Sequence, residues 1–254
     1  VKGGYWPNAL SRALFAAGNG PSTNLNTIDY ITISSTANAA DFGDLVVGRN
    51  SMGDHAGSFT RFLVGSGGAP GDTAVIDYVA FMTTGNAADF GDLTSARKGA
   101  GASSNSTRAI WWGTRGSNVI DYIQMASLGN GTDFGDMVDA RDYAGTPASP
   151  TRALKGGGIS PGLVNTIDQV QFATTGNATD FGNLSSSRAG VSGCSSSTRG
   201  SFGGGYTPTY QTTIDYVEIA STGNAIDYGD LTTATVSCGA VSYTHLTLPT
   251  NREV

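Results

Sequence analysis

Residues 76–93 read Ile76-Asp77-Tyr78-Val79-Ala80-Phe81-Met82-Thr83-Thr84-Gly85-Asn86-Ala87-Ala88-Asp89-Phe90-Gly91-Asp92-Leu93. The first six residues place Val79 and Phe81 on one face, with Ile76, Tyr78 and Ala80 on the other, a period of two that marks a strand. Gly85-Asn86 then supplies a turn, because both residues tolerate positive φ and Asn can bond its own backbone two residues on. A short strand follows around Phe90-Gly91-Asp92-Leu93. The whole wording returns. Ile-Asp recurs at 28–29, 76–77, 120–121, 167–168 and 214–215, with spacings of 48, 44, 47 and 47 residues. Asp-Phe-Gly-Asp keeps step at 41–44, 89–92 and 133–136, and so do Asp-Phe-Gly-Asn at 180–183 and Asp-Tyr-Gly-Asp at 227–230.

Working outward, each unit contains two further segments. An arginine (Arg49, Arg97, Arg141, Arg188) opens a run of small residues, and Arg12, Arg61, Arg108, Arg152 and Arg199 each open a second run that ends in glycines. Each unit therefore reads as four short strands. A lone antiparallel sheet of 40–50 residues cannot cover both of its faces, so the units must stack on one another. The expected fold is all-β: a β-propeller of four-stranded antiparallel blades, about five units, in an incomplete ring. The units span 1–48, 49–96, 97–140, 141–187 and 188–234, and a sixth starts at 235.

These residues resemble the kelch repeat, in which a double glycine ends the second strand and an aromatic near the fourth packs between blades. Phe42, Phe90, Phe134, Phe181 and Tyr228 hold that aromatic place. More narrowly, the wording looks like kelch-like repeats predicted in virion and tail-fibre-like proteins of marine tailed phages and large viruses. That resemblance implies a virion or extracellular location. Residues 241–254 leave the pattern and resemble one reading frame of a transposase adapter used in sequencing libraries, so they are expected to be a non-native tail.

Composition narrows the function. The net charge is −6, which argues against a nucleic-acid footprint, and no apolar run is long enough for a membrane-spanning helix. Nine of the 14 basic and 14 of the 20 acidic residues are repeat positions, so most charge is expected in Arg–Asp contacts between strands or blades. Asp-Phe-Gly occurs too often, and with too few companions, to be a kinase metal site. The Asn86, Asp89 and Asp92 oxygens raise calcium, but aspartates satisfying turn N–H groups is the favoured reading, and no metal or cofactor is expected. His55 is the one histidine outside the suspected tail, and the copper-ligand histidines of kelch oxidases are missing, so no catalytic residues are assigned.

The expected function is a non-enzymatic structural or binding module, part of a virion surface or tail fibre, contacting protein or glycan. The alternatives are a glycan-active enzyme or lectin, and an intracellular kelch-type adaptor. The second-to-third strand connections differ among units, and variable loops on a rigid frame are where binding usually resides. Trp6, Trp112, Tyr206 and Tyr210 are the candidate stacking surfaces, with Trp112 expected outside because it replaces a glycine, and Trp111 expected in the core.

Overall fold

A computed structural model describes residues 12–33, 35–58 and 60–240. Within them the chain forms five small antiparallel sheets arranged as the blades of a β-propeller. Blade 3 shows the plan: Ala102–Ser104, Arg108–Trp111, Val119–Gln124 and Thr132–Asp136 pair in sequence order. Blade 2 repeats it with Ala56–Gly57, Arg61–Gly65, Gly71–Ala80 and Ala88–Arg97, and blade 5 with Ser192–Ser195, Arg199–Gly203, Thr209–Glu218 and Ile226–Thr235. Blade 4 has Arg152–Gly156, Thr166–Gln171 and Thr179–Asn183. Its first strand is reduced to the bridges Gly145↔Gly156 and Ala148↔Ala153. Pro147, between the two bridges, explains that reduction, since it has no N–H to give a ladder. Blade 1 is described as three strands, Arg12–Asn19, Asn24–Thr32 and Ala40–Asp44.

The small residues of the first strands are a packing requirement. These strands crowd together: a Cβ on Gly101 would lie 2.5 Å from Thr146 Cγ2, and one on Gly53 would run into the Ala100 carbonyl.

In every blade the third and fourth strands slip register between Ile and Asp, as in Ile76↔Gly91 and Asp77↔Asp89. The aromatic of Asp-Phe-Gly is the extra residue of a β-bulge, a device that re-aims one side chain. Four of these aromatics, Phe42, Phe90, Phe134 and Phe181, are buried between blades, each about 2% exposed. Four apolar clusters result, one per interface between consecutive blades.

The Gly-Asn turn works differently from the sequence expectation. Asn86 Oδ1 accepts the N–H of Asp44 in the preceding blade (3.1 Å) instead of bonding its own backbone. Around it, Gly85 N–H donates to Phe42 O and Ala87 N–H to Asp44 O, both at 2.7 Å. The same three bonds join Asn130 to blade 2, Asn177 to blade 3 and Asn224 to blade 4. Each turn is thus a staple onto the blade before it. This also explains the glycine of Asp-Phe-Gly. A Cβ on Gly91, whose φ is 142°, would lie 2.5 Å from the Gly129 carbonyl oxygen.

Candidate binding surface

The two arginine series have separate duties. Arg49, Arg97, Arg141 and Arg188 are buried and pair with Asp77, Asp121, Asp168 and Asp215 of the Ile-Asp strands. The same carboxylates accept backbone N–H groups from the end of the preceding blade: Thr94 to Asp121, Val138 to Asp168 and Ser185 to Asp215. Burial raises the Asp77 and Asp168 pKa values in spite of their arginine partners, and lowers Arg49 and Arg188, with Arg97 brought down to about 10. These pairs set register more than they add stability, since desolvation offsets much of their attraction.

The other series does not meet aspartate, a correction to the expectation from charge counting. Arg12, Arg61, Arg108 and Arg152 donate to Phe81, Met125, Phe172 and Ile219 carbonyls of the following blade at 2.5–3.1 Å. Arg12, Arg61 and Arg108 also lie over Tyr30, Tyr78 and Tyr122, 4.8–5.1 Å from the ring centres. The aspartates that lead Asp-Phe-Gly accept the glycine N–H two residues on, at 2.8–3.1 Å, which is the turn role favoured over calcium.

Two further titratable groups are likewise held by packing. Lys155 is buried and donates to Gly113 O (2.7 Å) and Arg141 O (2.9 Å). Burial and then the Arg141 charge hold its amine well below the usual lysine range. His55 is half-buried edge-on to Phe62, ring centres 5.2 Å apart, with no hydrogen bond to Nδ1. Desolvation, with a contribution from Arg49, lowers its pKa to about 4. It lines a cavity of about 420 Å³ with Phe15, Asp29, Met52 and Cys238. A second groove of about 460 Å³, with a mixed polar and apolar lining, runs between blades 3 and 4, lined by Asn105, Arg108, Gln124, Gln171 and Phe172 among others. Sequence reasoning missed this groove: Gln124 and Gln171 are one repeat position 47 residues apart, but only the stacking of two blades brings them to one cleft.

Trp112 is fully buried, contrary to its expected place outside. Its Nε1 donates to Ser103 Oγ (3.1 Å), and its ring joins the core between blades 3 and 4. Trp111 packs on the opposite side, in the core between blades 2 and 3, as expected. The reason lies in facing positions. Gly65 of blade 2 leaves room for Trp111, and Gly156 of blade 4 for Phe202, where a Cβ would lie 2.6 and 2.5 Å from the rings. Blade 3 has Trp112 at the glycine position, and blade 4 offers Lys155 where the other blades offer a ring or Val64. Trp6 lies outside the described residues.

Tyr206 and Tyr210 are exposed. They face each other across a hairpin, Tyr206–Thr207 and Thr209–Tyr210, that turns at Pro208, with ring centres 6.1 Å apart and planes at 68°. Equivalent hairpins turn at Pro70 and Pro161. All lie beside the blade-to-blade links, as Ala189 N–H to Tyr206 O (3.0 Å) and Asn50 N–H to Gly68 O (3.0 Å) show. The variable connections therefore share one face of the frame. Among the described residues no helix is long and apolar enough to cross a membrane. The chain matches no protein-family model, and no curated protein matches it.

Proposed function

We propose that this protein is a non-enzymatic binding or structural module of a virion surface, of the tail-fibre kind, that contacts protein or glycan through its hairpin face. A propeller is a rigid frame for loops, an architecture suited to interaction. The observation that carries the reading is a division of labour. The recurrent arginines and Ile-Asp aspartates hold blades together, while differences among units and the exposed Tyr206–Tyr210 pair collect on one face. Paired exposed aromatics suit the apolar faces of sugars and peptide side chains. The viral assignment is supported by the wording of the repeat. His55, on which a hydrolytic site would have to be built, is set edge-on against Phe62 with no hydrogen bond to Nδ1 to orient it.

The groove between blades 3 and 4, with Thr107, Gln124 and Thr151 beside Phe172, favours glycan as the second contact, since sugars offer both hydroxyls and apolar faces. Screening against glycan and host-surface protein arrays tests the proposal. Tyr206→Ser with Tyr210→Ser should weaken any captured ligand at least tenfold and leave the melting midpoint unchanged. Turnover of a glycan that is lost in His55→Leu would overturn the non-enzymatic reading.

A further inference from the structure

Five blades make four interfaces of one design, and two faces of that design remain. On blade 5, Tyr228 is 66% exposed where its four counterparts are about 2%. Gly203 occupies the position of Gly65 and Gly156, yet a Cβ there would meet nothing within 4 Å. Gly229 is equally open, while the same glycine in blades 1–4 lies under the next staple. Arg199 turns to Glu218, Nε to Oε1 2.5 Å, instead of a carbonyl of a following blade.

Blade 1 shows the reverse set. Phe15, the counterpart of Trp111 and Phe202, is 44% exposed, and Ile33, the counterpart of buried Phe81, is 53% exposed. Among the described residues, blade 5 thus presents a socket without a knob, and blade 1 a knob without a socket.

What covers blade 5 is indicated by the chain beyond Thr235. Ser237 (φ 53°) stands where Ser51, Gly99, Tyr143 and Gly190 stand, all with φ between 48° and 71°. Its N–H donates to Gly190 O (2.8 Å), as Gly190 donates to Tyr143 O (2.7 Å) and Gly99 to Ser51 O (2.6 Å). Ser192 Oγ donates to Cys238 O (2.6 Å). The opening of a sixth unit is already seated in register on blade 5.

We infer that the open face of blade 5 is a docking surface for a sixth copy of this repeat, continuing in cis from Val236. Its aromatic enters at Gly203, and its Gly-Asn turn staples onto Tyr228 and Asp230. The test inserts a second copy of residues 194–240 between Ala240 and Val241, which preserves the 47-residue period. The extended chain should melt several degrees higher than the original. Gly203→Leu should be silent in the original and lower the midpoint of the extended chain by several degrees. An extended chain that is no more stable, or does not fold, overturns the inference. If Gly203→Leu destabilises the original chain as a concentration-dependent oligomer, a second copy covers the face. If it does so in a monomer, blade 5 closes on blade 1. Either result also overturns it.

Discussion

His55 and Lys155 show what a titratable side chain costs inside a β frame. Both are shifted toward their neutral forms chiefly by burial. For His55 the sign follows directly. Its folded pKa of about 4 lies below the ordinary 6.5, so the unfolded chain takes up a proton first as pH falls. Stability from this group is intact above 6.5 and is lost between 6.5 and about 4, with a slope of at most about 1.4 kcal/mol per pH unit. His55→Leu should flatten that part of the stability curve in urea denaturation run from pH 7 to 4. The buried Arg–Asp pairs behave differently, because each carboxylate also accepts backbone donors from the preceding blade. A pair of this kind aligns two elements more than it adds net stability.

The Gly-Asn turn and the Asp-Phe-Gly bulge form a single device divided between neighbouring blades. Its strength can be isolated, because the chain contains the bulge with and without its staple. Gly91 and Gly229 have φ values of 142° and 135°, so alanine strains the backbone similarly at both. Only at Gly91 does the new Cβ meet a neighbour, the Gly129 carbonyl. Gly91→Ala should therefore cost about 1–3 kcal/mol more than Gly229→Ala in chemical denaturation. Equal losses would show that the staple carries no weight. The paired tryptophans teach a related lesson. Trp111 fits because blade 2 has Gly65, and Trp112 is accommodated because blade 4 places Lys155 opposite, with its amine turned to the Gly113 carbonyl.

Among the described residues the first and last blades of the propeller each leave a face largely uncovered, and the surface chemistry follows. Phe15 and Tyr228 sit on those end faces with large apolar area in water, and such patches drive association. Phe15→Ser with Tyr228→Ser should reduce aggregation and binding of an apolar dye, and leave the melting midpoint nearly unchanged. Phe134→Ala, in the interface between blades 3 and 4, should instead cost about 3–5 kcal/mol. If the end-face pair proves as costly as Phe134→Ala, those faces are covered in solution.

Much of this was legible in the amino-acid order. Strand alternation and four strands per unit follow from short-range pattern, because side-chain period and turn chemistry are local properties of the chain, while the burial of Phe42, Phe90, Phe134 and Phe181 was implied by the kelch resemblance. Repetition then required stacking. Three matters waited for the tertiary structure: that Asn86 serves the blade before its own, that the two arginine series differ in partner, and that Trp112 is inside. Each depends on a partner 24 to 69 positions away in the chain, which no local period records. The face proposed for binding was half legible. Variation among copies marked the hairpin loops, and only packing separated exposed Tyr206 and Tyr210 from buried Trp112.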